Sequence, residues 1–148
     1  MEIIIRKYHT TDIDAMLEIW LQASILTHSF IPKEIWENEL DAMRCKYLPN
    51  SDNTIAIYKG NVVGFVAMIE NHIAAIFVHP NMQNKGIGKA LLNHVKSENE
   101  ILTLNVFAKN KSSIGFYEKQ NFFIKETSLN SDFNEDEYLM IWNKNYEN

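Results

Sequence analysis

Glycine is scarce in this chain, five among 148 residues, against a usual share of ~7%. A single cysteine, Cys45, excludes an internal disulfide and cannot by itself supply a thiolate metal site. Three prolines leave no Pro-rich linker. No apolar run approaches the roughly 18 residues of a membrane span, and Met1–Arg6 carries none of the features of a secretory signal. Nor is there an excess of basic charge: the net charge is −5, which argues against a general nucleic-acid binder, since such proteins neutralise phosphates with Lys and Arg. What remains is a soluble, cytoplasmic protein with one domain over residues 1–148, and with 46% hydrophobic residues it can bury a core.

The charge is unevenly distributed. Residues 81–125 hold seven lysines against three glutamates, whereas residues 1–80 and 126–148 are both net acidic. One basic window in an acidic chain suits a local anionic ligand and a cationic second one.

The pattern of apolar residues predicts a strand over Glu2–Lys7. A helix follows, started by the capping pair Thr11 and Asp14 and marked by Ile13, Met16, Leu17 and Trp20. A second helix starts at Pro32, with Trp36, Leu40 and Met43 on its buried stripe. From Thr54 the period changes to two. Strands are expected at Thr54–Tyr58 and Val62–Ile69, turned at Gly60-Asn61, and at His72–Val78, apolar on both faces and therefore central. Gly86–Ser97 is helical, Ile101–Val106 a strand, Ser112–Lys119 a short helix, and Phe122–Thr127 and Glu137–Trp142 the last two strands. The order β-α-α-β-β-β-α-β-α-β-β describes an α+β, or mixed α/β, protein built on one sheet.

Two of the five glycines, Gly86 and Gly88, sit between the central strand and the helix that follows. Such a loop points backbone N–H groups outward, and the helix adds its free amides and positive dipole end. Lys85 and Lys89 add charge, so the expected ligand group is a phosphate or pyrophosphate. A Walker loop would need Gly in place of Gln83 and Ser or Thr in place of Ala90. A dinucleotide fingerprint would need glycine in place of Leu91.

Gln83-Asn84-Lys85-Gly86-Ile87-Gly88 resembles the Gln/Arg-x-x-Gly-x-Gly/Ala signature of the GNAT superfamily of N-acetyltransferases, with Val78-His79-Pro80 as its usual lead-in. A second block, Asn110 through Ser113 to Phe116 and Tyr117 and on to Phe122, resembles the family's Asn-x-x-Ala-x-x-Phe-Tyr-x-x-x-Gly-Phe, with Asn121 replacing the glycine. The segment Trp20…Ser24…Thr27-His28-Ser29-Phe30 is similar to one found in a subgroup of small bacterial acetyltransferases. The resemblance implies a mixed, mostly antiparallel sheet of about seven strands with about four helices. It also implies acetyl-CoA as donor and a primary amine, on a small molecule or a protein, as acceptor, with no metal. A non-catalytic acetyl-CoA-binding module is the alternative.

By the same resemblance, backbone groups of Ile76, Phe77 and Val78 pair with the pantetheine arm. Gln83, Asn84, Lys85, Gly86, Ile87, Gly88 and Lys89 hold the pyrophosphate. Asn110 bonds the pantetheine side, Ser113 and Phe116 also bind the cofactor, and Tyr117 sits near the sulfur. Acyl transfer needs a donor for the oxyanion, for which the Val78 amide is suited, and an acid for the leaving thiolate, for which Tyr117 is suited. The base is missing from the family pattern: Ala74, Ala75 and Asn105 stand where relatives carry carboxylates. Asn105 can orient an acceptor or a water. Glu70, His72, His79, His28 and bulk water remain as proton acceptors. His28 is preferred because its segment lies between the first two helices, which in the family border the acceptor pocket, and an imidazole titrates near neutrality; a capping or buried structural histidine is the other reading of the same residue. The segment Asp132–Glu137 reads as a solvated acidic loop that draws in a cationic amine. Trp142 and Tyr146, at the end of the final strand, either serve the interface of a homodimer or simply pack.

Overall fold

The computed structural model describes residues 1–146. Its elements follow the expected order: β1 Ile4–Lys7, α1 Ile13–Thr27, α2 Lys33–Asn38, α3 Leu40–Ala42, β2 Asp52–Tyr58, β3 Asn61–Ile69, β4 His72–Val78, α4 Ile87–Ser97, β5 Ile101–Phe107, α5 Lys111–Lys119, β6 Phe123–Asn130 and β7 Glu135–Asn143. The seven strands form one sheet in the order β1-β2-β3-β4-β5-β7-β6. Every neighbouring pair is antiparallel except β4 with β5. The chain thus has the GNAT-like α+β fold that its motifs implied.

Local chemistry accounts for the boundaries, and it corrects several of them. The start of α1 is set by Asp12, which accepts from the His9 backbone N–H at 2.7 Å and binds Arg6 at 2.9 Å, tying β1 to the helix. The capping box thus falls on His9 and Asp12, at the short 3-10 turn that leads into α1, two residues ahead of the expected Thr11–Asp14 pair. The helix expected from Pro32 onward is broken at Glu39 and ends in a π-type turn over Met43–Tyr47, yet it still buries Trp36 and Met43. The first hairpin turns at Lys59-Gly60, with φ of +51° and +80°, the pair of left-handed residues that a two-residue loop requires; Gly60-Asn61 was one residue late. Residues 135 and 136, expected in the acidic loop, lengthen β7 at its start, and Trp142 is 2% exposed, packed in the core under α4 and α5 and not at an interface. Tyr146 is exposed.

Two apolar layers cover the sheet. Beneath α4 and α5 lie Val66, Leu91, Leu102, Leu104 and Met140; beneath α1 and α2 lie Ile55, Phe65, Trp20 and Trp36. A fully buried leucine such as Leu91 contributes ~2 kcal/mol by removal from water.

The sheet is weakest at its centre. Residues β4 and β5 share are limited to the pairs His72–Thr103 and Ile73–Leu104. On the other side of β4, Ala67 pairs with Ala75 while Met68 pairs with Ile73, so Ala74 is a bulge that bends the strand. Beyond Ile73 the two strands part, and the gap is the mouth of the site. The expected cover on both faces of β4 is thus incomplete: Ala75–Val78 are only half-buried.

Candidate functional site

A cavity of about 490 Å³ fills the gap between β4 and β5. Ladder geometry decides what β4 shows it. The His79 N–H donates to Val63 O at 2.8 Å, and Phe77 pairs with Phe65. Because the bonds of an antiparallel strand alternate in direction, Ile76 and Val78 turn their backbone groups away from β3, toward the gap. The Val78 carbonyl accepts from Gln83 Nε2 at 3.3 Å.

The loop after β4 ends on Asn84 and Gly86, both left-handed at φ +63° and +86°. Gly86 is the N-cap of α4, and the first helical hydrogen bond is Ala90 N–H to Gly86 O. The amides of Ile87, Gly88 and Lys89 therefore have no partner within the helix and open on the cavity, which all three residues line. The two glycines do different things. Gly86 supplies a conformation that a side chain would strain, and no atom lies within 4 Å of the place its Cβ would take. Gly88 supplies room: a Cβ there would come 3.2 Å from Phe116 Cζ.

The far wall comes from α5 and the loop before it. Asn110 caps α5 and is buried; its Oδ1 accepts from the Ser113 N–H at 3.3 Å. That orientation aims its amide nitrogen at His28 Nε2, 3.3 Å away, so Nε2 accepts and the His28 proton sits on Nδ1. His28 is itself 9% exposed, with Trp36 and Phe107 rings both 5.3 Å from its own. Burial pushes it down to about 4, which corrects the expectation of a ring poised near neutrality: it is uncharged, and its basic nitrogen is already bonded. Tyr117 packs against Phe116 and Phe122 and also lines the cavity. Burial raises its phenol above the ordinary range, so it keeps its proton.

Of the residues read from the sequence, Ile76, Phe77, Val78, Gln83, Asn84, Gly86, Ile87, Gly88, Lys89, Asn105, Asn110, Ser113, Phe116, Tyr117 and His28 all line this one cavity; Lys85 does not. Three of the proposed proton acceptors also fall outside it. Glu70 is exposed in the β3–β4 turn. His72 Nδ1 is 2.7 Å from Thr103 Oγ1 at the closed end of the gap, with its pKa lowered by burial. His79 Nδ1 accepts from the Asn81 N–H at 3.1 Å.

Sequence reading missed the opposite end of the cavity. Trp36, Phe107 and Phe133 form its wall together with Glu137, and Phe133 lies 5.5 Å from Trp36 and 5.6 Å from Phe107. Glu137 stands across from Phe107 in the β5–β7 register, so only strand pairing reveals its position. No group of three or more potential metal ligands occurs among the described residues, and no helix among them is long and apolar enough to cross a membrane.

A strand edge without a partner, running into a helix N-terminus, matches what the motifs led one to expect, and residues 13–122 match the model of the acetyltransferase (GNAT) family. The chain belongs to the GNAT family. Its class, an acetyl-CoA-dependent N-acetyltransferase, follows from that membership. Among its relatives, peptidyl-lysine N-acetyltransferase YiaC of Escherichia coli (strain K12) is 33% identical over 140 residues, covering 94% of this chain and 96% of that protein. Peptidyl-lysine N-acetyltransferase YjaB of the same organism is 30% identical over 123 residues, covering 82% and 83%. The solution structure of apo-form YjaB superposes with a TM-score of 0.85 at 26% identity, covering 96% of this GNAT chain and 98% of that one. A PaiA N-acetyltransferase of Thermoplasma acidophilum, solved with coenzyme A, shares the fold at a TM-score of 0.81 and 21% identity, covering 97% and 99%.

Proposed function

We propose that this protein acetylates the ε-amine of lysine residues in polypeptides, by direct attack of the neutral amine on the thioester of acetyl-CoA, and that residues 1–148 form the one domain that does so. The carrying observation is the single cavity that joins the open edge of β4 and the α4 N-terminus at one end to an aromatic, acidic wall at the other. The names of YiaC and YjaB as peptidyl-lysine enzymes support the choice of acceptor.

In this reading the pantetheine arm runs along Ile76–Val78 as an added strand, and the pyrophosphate rests on the amides of Ile87–Lys89 with Gln83, Asn84 and Gly86 shaping the loop. The amine nitrogen forms its bond to the thioester carbon, and the developing oxyanion is met by the Val78 N–H. As the C–S bond breaks, Tyr117 donates its phenolic proton to the sulfur and is reprotonated from solvent. The second proton, lost by the amine, leaves through water ordered by Asn105. Asn110, oriented by His28 and Ser113, holds the pantetheine side. Cytoplasmic residence belongs to the same reading: Cys45 is a free, exposed thiol, suited to a reducing compartment.

The test is release of free CoA from acetyl-CoA in the presence of an N-blocked lysine peptide, with the product mass checked for one acetyl group. A protein that binds CoA but releases no thiol across a panel of lysine peptides, N-terminal amines and small amines is the non-catalytic module instead.

A further inference from the structure

Among the described residues that line the cavity, only two carry a full charge, and they have opposite signs: Lys89 in the first turn of α4 and Glu137 on β7. The first lies where the pyrophosphate of the proposed reaction would sit. Among the described residues, the second has no cation of its own. Glu135, two residues before it, binds Lys109 at 3.2 Å, and that lysine also lies over the Phe30 ring at 5.6 Å. Glu137 accepts a neutral donor, Asn130 Nδ2, on its Oε2 at 3.1 Å. That bond fixes the carboxylate without cancelling its charge.

The surfaces beside Glu137 are ring faces and edges of Trp36, Phe107 and Phe133. Aromatic faces attract cations and accommodate methylene chains, and a partly water-excluded wall strengthens the pull of a carboxylate. An anionic acceptor finds no positive group among the described residues of that wall, and the buried Trp36 Nε1–H, a donor without a partner, is too little for a sugar-like one.

We propose that Glu137, with Trp36, Phe107 and Phe133, is the subsite that selects the acceptor, taking an unbranched alkylammonium arm with its charge on the Glu137 carboxylate and its methylenes between the rings. This rests on the reading of the protein as a lysine acetyltransferase, and it assigns the specificity of that reaction to named side chains. Glu137 acts in binding. The nitrogen sheds its proton before attack and becomes positive again as it bonds to the thioester carbon, so the carboxylate serves ground and transition states alike, and its loss appears in the acceptor KM and not in kcat.

The experiment titrates n-butylammonium and, separately, n-butanol into the CoA-loaded wild type and Glu137→Gln, and measures steady-state turnover of an N-blocked lysine peptide by both. Glutamine keeps the shape and an acceptor for Asn130. The expected result is n-butylammonium affinity weaker by about tenfold in the variant and an acceptor KM raised by about tenfold, as for loss of one charged hydrogen bond, with CoA affinity and kcat retained. Equal n-butylammonium affinity in the two proteins, or n-butanol bound as tightly as the ammonium by the wild type, overturns the proposal. Glu137-dependent ammonium binding without any thiol release from lysine peptides keeps the subsite and rejects the lysine reading. Lysine turnover with an unchanged KM in Glu137→Gln rejects the subsite and keeps that reading.

Discussion

The ring of Phe116 occupies the space in which Gly88 would carry a side chain, 3.2 Å from a Cβ built there. A glycine in the first turn of α4 thus serves the packing of α5 against α4, and the wall of the cavity is the result. Gly88→Ala is expected to leave stability nearly unchanged, because a helix gains ~1 kcal/mol on replacing glycine by alanine while the displaced ring costs a similar amount. CoA affinity should still fall several-fold as Phe116 moves into the cavity. Thermal melting and calorimetry with CoA separate the two effects, and Phe116→Leu in the same chain should restore affinity.

Gly86 has open space but a left-handed backbone. Gly86→Ala is expected to cost ~1 kcal/mol or more, and Gly86→Asn less, since asparagine tolerates this region, as Asn84 and Asn121 already do in this chain. Urea denaturation of the two variants gives the ranking; equal stabilities would show that the loop relaxes.

Tyr117→Phe retains the contacts with Phe116 and Phe122 and should keep both fold and CoA affinity. If the phenol protonates the departing sulfur, kcat falls by ~10²-fold or more. Because burial raises its pKa, the hydroxyl stays protonated through the physiological range, and no limb of the kcat profile below pH 9 belongs to it. The same shift makes folding stability fall as pH rises above the ordinary phenol value, where the unfolded chain ionises first.

His28 gives the opposite slope. Its folded value is about 4 against an ordinary 6.5, so between these limits the unfolded chain binds a proton that the folded protein refuses. Stability is present above pH 6.5 and is lost as pH falls toward 4, by up to about 3 kcal/mol. Chemical denaturation at pH 7 and pH 4.5 should show this loss in the wild type and a smaller one in His28→Gln. Asp12, held low by its hydrogen bond from Arg6, adds a further loss at lower pH that the variant keeps.

Much of the donor side was legible because its determinants are local. A change of period from 3.6 to 2, a glycine pair after an apolar strand and an Asn–Tyr block are all read within short windows, and they lead to β4, α4 and α5. The acceptor side depends on contacts between distant residues. Glu137 faces the cavity only because β7 pairs with β5 in a register that sets it opposite Phe107. Trp142 stands opposite Leu102 in the same pairing and is buried, which its residue type alone does not decide. His28 meets Asn110 across 82 residues, and burial there removes the basicity that its residue type promises. The break at Glu39 has no proline or glycine to announce it.

The junction between β4 and β5 has a mechanical consequence. A four-stranded piece and a three-stranded piece meet through only two ladder pairs, with the apolar layer under α4 on one face and the His28, Trp36, Phe107 and Phe133 rings on the other, like the arms of a clasp. Pulled apart across that junction, the empty protein should yield there before either piece loses a strand. A ligand whose backbone-like arm bonds to Ile76 and Val78 would act as a splint along one arm of the clasp, and single-molecule extension with and without CoA would record it as a higher yield force.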